Sequence, residues 1–357
     1  MHEIDISKNW LLFSSRELAS DSHKVSLPGF DVKNQFPTDI PSTVMAALVR
    51  NHVYKDVYFG DNLDHISGEP FRVPWWYRKS FHIDASDDPQ YYRLLFEGLI
   101  YRANIWLNGT RIADSNEVQG CFRMFEFDAT AHLKPGENIL ALEVFPPEPG
   151  DLSIGFVDWN PWPPDQNMGV WRPVKLLKTG AVSLKNVFVK PNLNVETLKS
   201  ASLTVSAEIT NHSPERVAGR VELEIEHISL YQEFVLQPNG TRKLYFSPSG
   251  YPDLNLNNPR IWWPVHLGEP DLYTMNMRVM HAEQLSDQIS VRFGIRHIQD
   301  YFNDNGHRGF KINGKEILIK GGGWVDDLFL DDYDEKVQHQ IRYVKHMNLN
   351  TIRLEGF

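Results

Sequence analysis

The stretch that decides the fold is 310–330, FKINGKEILIKGGGWVDDLFL. Two short apolar runs flank Asn313-Gly314, and an Asn-Gly pair between such runs predicts a β-hairpin with its second strand at 316–320. That strand leads into three glycines, 321–323, which lack a Cβ and allow a sharp turn or a close approach to a ligand or another backbone. We therefore expect a glycine loop at the end of the hairpin.

The rest of the chain, 331–357, predicts a helix followed by a strand. The apolar residues of the segment 333–347 recur at helical intervals, at Val337, Ile341, Val344 and Met347. The β-branched run NTIRL at 350–354 follows, with Glu355-Gly356 at its tip. Strand, loop, helix and strand make a βα repeat, and such repeats build parallel sheets. One repeat cannot bury its own strand, so we expect these 357 residues to be the N-terminal part of a larger protein.

Composition places the chain among ordinary globular proteins. Of its 357 residues, 41% are hydrophobic and 23% charged, with a formal charge of −10. No basic block stands out, which argues against a nucleic-acid partner. Aromatic residues make up 12%, which suits either stacking on sugar rings or ordinary packing in β-rich domains.

The chain gives no signal for a cofactor, a metal or a membrane. It has one cysteine, Cys121, which excludes an internal disulfide and fits a small buried hydrophobe. Its 14 histidines show no ligand spacing, and no dinucleotide or phosphate-binding motif occurs. No apolar run approaches the length of a membrane span. The first residues lack a charged-then-apolar secretory layout, which favours an intracellular location.

Residues 1–180 predict a β-sandwich, with Trp10 and Leu12 of its first strand in the core. Short strands and turn signals alternate, and Asn108-Gly109 marks another hairpin. One short helix is expected from Val44, after a start signal at residues 41–43.

Residues 181–300 predict a seven-stranded immunoglobulin-like sandwich without its disulfide. Six strands can be placed by their pattern, at 182–190, 202–209, 219–227, 241–246, 271–279 and 290–298. The pair Trp262-Trp263 is expected to wedge between domains, and no chemistry is expected in this unit.

The motifs in these three units resemble glycoside hydrolase family 2, along essentially the whole chain. KINGKEILIKGGGWVDDLFL and LNTIRLEG look like the entry to its catalytic barrel, most closely in the exo-β-D-glucosaminidase branch. The resemblance implies a mainly β chain: a jelly-roll, galactose-binding-like domain at 1–180, an immunoglobulin-like sandwich at 181–300, and the first strands of an incomplete (β/α)8 TIM barrel at 301–357.

The resemblance also gives a role to the loop 146–173, which is dense in Pro, Trp and Asp. In the family this loop reaches over the barrel mouth. Its candidates for lining the sugar pocket are Asp158, Trp159, Trp162, Asp165, Gln166 and Asn167. The alternative is structural: the loop tryptophans, with Trp171, plug the joint between domains, and Asp165 caps a turn.

Catalytic residues are not expected among these residues. Retaining glycosidases hold an acid/base and a nucleophile about 5 Å apart, and the family places both on later barrel strands, C-terminal to this chain. Two carboxylates are candidates for binding substrate instead. Glu355 stands at the tip of a barrel strand, where it could pair with the ammonium group of glucosamine, and Asp327 follows the glycines. The structural alternatives are a salt bridge from Glu355 to Arg353 and a solvated helix start after Asp326.

Three functions remain open from the sequence. The first is the N-terminal portion of an exo-β-D-glucosaminidase acting on chitosan-type oligosaccharides. The second is a β-mannosidase or endo-β-mannosidase of the same family, so the expected partner is an amino-sugar or a mannoside. The third is a non-catalytic carbohydrate-binding module, if the chain is naturally this short. A second polypeptide carrying the remainder of the barrel is a further possible partner.

Overall fold

The computed structural model describes residues 2–18, 22–85, 90–152, 154 and 160–354. β-Structure dominates these residues, which confirms the mainly β prediction. We keep the predicted ranges 1–180, 181–300 and 301–357 as names for the first, second and third units.

The first unit is a sandwich of a six-stranded and a four-stranded antiparallel sheet, ordered β3-β2-β5-β10-β7-β8 and β1-β12-β6-β9, with β11 paired to β4. Its strands are β1 (His2–Asp5), β2 (Trp10–Ser14), β3 (Phe36–Thr38), β4 (Ser42–Thr43), β5 (Trp75–Ile83), β6 (Tyr91–Phe96), β7 (Arg102–Leu107), β8 (Thr110–Ala113), β9 (Phe125–Asp128), β10 (Gly136–Phe145), β11 (Gly169–Val170) and β12 (Val174–Thr179).

The main core of the first unit lies between these two sheets. Trp10 and Leu12 are fully buried in it, as predicted. The β7–β8 hairpin turns at Asn108 and Gly109, whose φ angles of 50° and 87° need the left-handed region that this pair tolerates. A smaller cluster around Phe13 and Trp76 covers the outer face of the six-stranded sheet.

The helix α1 (Val44–Arg50) begins where the sequence predicts it. The Thr43 hydroxyl caps it by accepting a hydrogen bond from the Ala46 N–H at 3.1 Å. Val44 and Leu48 turn their side chains into the core of the first unit. The helix is therefore anchored along its apolar face and capped at its start.

The second unit is a sandwich of two four-stranded sheets, β16-β15-β19-β20 and β13-β14-β17 with β18 added beside β14. Its strands are β13 (Val182–Leu193), β14 (Ser200–Asn211), β15 (Val217–Ile225), β16 (Ile228–Leu236), β17 (Thr241–Phe246), β18 (Asn255–Asn257), β19 (Tyr273–His281) and β20 (Gln284–Phe293).

One predicted strand in this unit is displaced, and another ends early, before a strand that the sequence missed. The predicted strand 219–227 runs into a turn at Glu226, where φ is 51°, and the chain returns as β16, which the sequence reasoning missed. The predicted strand 290–298 is observed at 284–293, paired with β19. In both cases the pairing partner, which the local pattern does not reveal, sets the strand limits.

The third unit holds a three-stranded antiparallel sheet and one parallel pair joined through a helix. Its elements are β21 (Ile298–Phe302), which begins three residues before the predicted boundary, β22 (Arg308–Ile312), β23 (Lys315–Ile317), β24 (Gly321–Trp324), α2 (Asp334–His346) and β25 (Thr351–Leu354). The predicted hairpin is confirmed, turning at Asn313 and Gly314, although its second strand ends at Ile317 and not at residue 320.

The predicted glycine loop was wrong, because the three glycines form most of β24. This strand pairs in parallel with β25. A Cβ placed on Gly321 would lie 2.2 Å from the carbonyl oxygen of Thr351. The close backbone approach that the sequence predicted is therefore real, but it joins two strands.

The tryptophan pair lies at a junction, as predicted. Asn313 Nδ2 donates to the carbonyl oxygen of Trp262 at 2.9 Å, and the Lys315 ammonium lies 4.8 Å from the centre of the Trp263 ring. These contacts join the second unit to the β22–β23 hairpin.

Candidate functional site

The structure describes five of the eight candidate site residues: Trp162, Asp165, Gln166, Asn167 and Asp327. Glu355, Asp158 and Trp159 lie outside the described residues. Of the five that are described, Asp165, Asn167 and Asp327 lie where the first unit meets the segment after β24.

Asp165 is a buried carboxylate at the start of α1, with 2% of its surface exposed. One oxygen accepts from the Met45 N–H at 2.7 Å and the other from the Asn167 N–H at 3.0 Å. Burial raises its pKa to about 7, and the backbone N–H groups only partly oppose this. Both oxygens are thus engaged by the backbone, as the capping alternative predicts.

Asn167 is fully buried and holds an unusual backbone conformation, with φ at 58°. Its Nδ2 donates to the Ile154 carbonyl oxygen at 3.1 Å. Among the described residues its Oδ1 has no hydrogen-bond partner. An unsatisfied buried acceptor costs about 1–3 kcal/mol. Among the residues of the loop 146–173 that the structure describes, only Asn167 has a buried side-chain oxygen or nitrogen without a hydrogen-bond partner.

Asp327 organises the segment that follows β24. Its Oδ1 accepts from the N–H groups of Phe329 and Asp331, at 2.9 and 3.3 Å. Its Oδ2 pairs with the Lys336 ammonium at 2.6 Å. With 16% of its side chain exposed, Asp327 shapes this turn rather than presenting a free carboxylate.

Asp326 points towards solvent beside this turn. Partial desolvation raises its pKa, and the Asp332 charge adds to the effect, while Arg172 and Lys336 oppose it. It is therefore the carboxylate of this segment that is both accessible and electrostatically perturbed.

Trp171 lies in the joint between the first and third units. Its indole N–H donates to the Cys121 carbonyl oxygen at 2.9 Å, and the Arg172 guanidinium lies 4.3 Å from its ring centre. It packs on a cluster that joins Ile100, Cys121 and Ile154 of the first unit to Leu330 of the third. Cys121 is buried, as predicted. Trp162, by contrast, is 64% exposed and plugs nothing among the described residues.

An open cleft of about 1220 Å³ lies between the β1–β12 edge of the first unit and residues 326–335. Nine of its lining side chains are acidic and four are basic, and we call it the acidic cleft. Trp171, Arg172 and Asp326 line it, whereas Asp165, Asn167 and Asp327 do not. Such a surface favours a cationic or amine-bearing ligand.

The described residues show neither a candidate metal site nor a membrane-spanning helix. No group of three or more His, Cys, Asp or Glu side chains within them could hold a metal ion. Within the same residues, neither helix has the length and apolarity needed to cross a membrane.

Two family models match the chain. The one described as glycosyl hydrolase 2 galactose-binding domain-like matches residues 19–149, and the one described as glycosyl hydrolases family 2 matches residues 182–296. Together they cover more than half of the chain, one on each sandwich.

Curated relatives match almost all of the chain. An exo-β-D-glucosaminidase from Streptomyces avermitilis is 36% identical over 96% of it and 38% of its own length. One from Amycolatopsis orientalis is 34% identical over 97% of the chain and 33% of its own length. A mannosylglycoprotein endo-β-mannosidase from Lilium longiflorum is 28% identical over 89% of the chain and 36% of its own length. The chain thus spans less than half the length of these relatives.

Solved structures extend the similarity to the arrangement of the three units. The exo-chitosanase CsxA of Amycolatopsis orientalis matches all of the chain and 41% of its own, with a TM-score of 0.92 and 33% identity. A β-glucuronidase of Bacteroides uniformis matches with a TM-score of 0.75 at 18% identity, which shows a shared fold alone. With both sandwiches matched by models of one family, and with relatives of that family aligned along nearly the whole chain, this chain belongs to glycosyl hydrolase family 2.

Proposed function

We propose that this chain is part of a retaining exo-β-D-glucosaminidase, which removes terminal β-linked glucosamine from chitosan-type oligosaccharides. The observation that carries the proposal is the 0.92 TM-score over the whole chain to an exo-chitosanase at 33% identity. The surplus of acidic side chains in the acidic cleft supports it, because glucosamine carries a positive charge at neutral pH.

The parallel pair supports a further part of the proposal, that β24, α2 and β25 begin a (β/α)8 barrel. Barrel enzymes place functional residues after the C-terminal ends of their strands. Asp326 and Asp327 follow β24, and Glu355 is the residue after β25 in the sequence. Because β24 and β25 are parallel, their C-terminal ends, Trp324 and Leu354, lie at the same edge of the pair.

The proposed chemistry divides the work between residues 1–357 and the catalytic carboxyls. Retention needs an acid/base and a nucleophile about 5 Å apart, and we assign neither role to a residue of this chain, because the family carries both on later strands. The role proposed here is recognition. Glu355 accepts a hydrogen bond from the glucosamine ammonium, while Asp327 holds the turn from which Asp326 faces the acidic cleft.

Replacing Glu355 tests this assignment in the whole protein. Glu355→Gln keeps the size of the side chain but removes its charge, and a charge-assisted hydrogen bond contributes about 1.5–3 kcal/mol. We expect kcat/KM for a β-glucosaminide to fall about 10- to 100-fold, with activity on a β-mannoside little changed. The measurement is steady-state hydrolysis of both nitrophenyl glycosides.

Glu283→Gln serves as the control, because Glu283 is an exposed residue of the second unit. It should leave both rates unchanged. If Glu355→Gln keeps the wild-type preference for glucosaminide over mannoside, the assignment of Glu355 is wrong.

The second candidate is a β-mannosidase of the same layout, favoured by the similarity to the Lilium endo-β-mannosidase. The wild-type whole protein decides between the two. Faster hydrolysis of the mannoside than of the glucosaminide would favour this candidate. Binding of chitosan oligomers without hydrolysis of either glycoside would favour a non-catalytic binding module.

A further inference from the structure

Residues 326–332, which we call the 326–332 loop, are fastened to the first unit. The Thr43 hydroxyl donates to the Phe329 carbonyl oxygen at 2.9 Å, and the Arg50 guanidinium is paired with the Asp331 carboxylate. The Phe329 ring is 1% exposed and lies 5.4 Å from the Tyr58 ring. The loop thus belongs by sequence to the third unit but rests on the first.

Both ends of α1 take part in this attachment. Thr43 is the residue that caps the start of the helix, and Arg50 is its last residue. The start is fixed in turn by the buried Asp165 carboxylate, which accepts from the Met45 N–H. Because α1 is held along its apolar face and at its start, it fixes the position of the 326–332 loop on the first unit.

Inside the loop, the hydrogen bonds pass from the attachment points to the proposed substrate-binding edge. The Asp331 N–H donates to Asp327 Oδ1, and the Asp327 N–H donates to Asp332 Oδ2 at 2.9 Å. Asp331 is therefore bonded at its side chain to Arg50 and at its backbone to Asp327. Displacing Asp331 displaces Asp327 and its neighbour Asp326.

The Arg50–Asp331 pair is partly buried, which strengthens its electrostatic attraction. Their side chains are 35% and 26% exposed, so water screens the pair less than a surface ion pair. Desolvation lowers the pKa of Arg50, while the charges of Asp39 and Asp327 oppose the shift.

We infer that Arg50 is a positioning residue for the proposed glucosaminidase: by pairing with Asp331 it sets the position of the loop that carries Asp326 and Asp327 at the substrate-binding edge. The inference rests on the proposed function for its reaction but on the contacts above for its geometry. A displacement of about 1 Å in a binding group can cost about 100-fold in rate.

A double-mutant cycle in the whole protein tests the inference. The variants are Arg50→Gln, Asp331→Asn and the two together, with Arg50→Lys as the conservative variant. We expect each single change to lower kcat/KM about tenfold, mainly through KM, and the double change to lower it no further. Arg50→Lys should recover most of the loss, because the charge is kept. Arg72→Gln is the matched control: Arg72 pairs with Glu69 at 2.7 Å inside the first unit, and its loss should leave kcat/KM unchanged.

Failure of the glucosaminidase proposal can be distinguished from failure of the positioning role of Arg50. A wild-type protein that hydrolyses only mannosides refutes the glucosaminidase proposal, and the cycle is then measured on the mannoside. Amide hydrogen exchange of residues 325–332 needs no activity: Arg50→Gln and Asp331→Asn should each speed it, and Arg72→Gln should not. Losses in kcat/KM that multiply in the double variant, or unchanged exchange in Arg50→Gln, would overturn the positioning role.

Discussion

At the scale of single residues, two candidates in the loop 146–173 are buried and bonded to the backbone. Asp165 binds two backbone N–H groups and Asn167 one carbonyl oxygen, both in the interior. The sequence pointed to this loop, but Asp and Asn at such density mark turns and caps as often as ligand contacts. It could not decide between the two roles, because burial depends on residues far away in the chain.

The buried Asp165 should make stability depend on pH. Its folded pKa of about 7 lies above the unfolded value of 3.8. The folded state therefore favours the protonated form, and its contribution is full below about pH 4 and is lost as pH rises to about 7. We expect Asp165→Asn to remove this fall, which is on the order of 4 kcal/mol. Urea unfolding of the chain between pH 4 and 8 measures it.

Asp84→Asn is the control for this pH effect, since the Asp84 side chain is 98% exposed. Its pH profile should follow that of the wild type. A wild-type profile that keeps its shape in Asp165→Asn would assign the fall to another group.

At the scale of elements, the sequence correctly predicts turns and helix starts that neighbouring residues determine. The turn at Asn108-Gly109 and the capped start of α1 follow from neighbouring residues, and both are confirmed. Strand β24 was missed because its pairing partner lies 30 residues further along the chain. The Arg50–Asp331 pair joins positions 281 residues apart, so nothing in either local segment announces it.

The glycines of β24 should differ sharply in their tolerance of a side chain. Gly321→Ala would place a Cβ 2.2 Å from the Thr351 carbonyl oxygen, whereas a Cβ on Gly322 meets nothing within 4 Å. We expect Gly321→Ala to destabilise the β24–β25 pair by about 1–3 kcal/mol or more and to speed amide exchange in both strands.

Gly322→Ala is the matched control, because it adds the same methyl group one position along. It should leave exchange in β24 and β25 near the wild-type rate. Equal effects of the two substitutions would mean that backbone entropy, and not the contact with Thr351, governs this strand.

At the scale of the whole molecule, side chains of one unit pack into or bond to another unit. The core of the first unit contains Phe329, a residue of the third unit. Arg93 donates to the Ser183 hydroxyl at 3.1 Å, and Lys185 to Glu126 at 2.5 Å, so the first and second units are also joined. The acidic cleft, where we propose that the substrate binds, depends on the contacts between the first and third units.

Removing the Phe329 ring should therefore weaken the first unit, whose core contains it, and leave the second unit unchanged. Phe→Ala in a core costs about 3–5 kcal/mol. We expect Phe329→Ala to lower the protection of β5 and β10 in hydrogen exchange while leaving β14 and β19 of the second unit unchanged.

Phe302→Ala provides the control, since Phe302 belongs to the third unit but is 64% exposed. Protection of β5 and β10 should stay at the wild-type level in this variant. If Phe329→Ala also leaves them protected, the ring only covers the first unit and does not complete it.

The burial of Phe329 has a consequence for how the protein is made. A ribosome synthesises the chain from its N-terminus, at about 5–20 residues per second. The two sheets around Trp10 have emerged long before residue 329 is added, yet the gap that this ring fills stays open until then. While the second sandwich is translated, the nascent first sandwich therefore exposes the apolar surface that Phe329 later covers. A chaperone would protect the chain most during this interval.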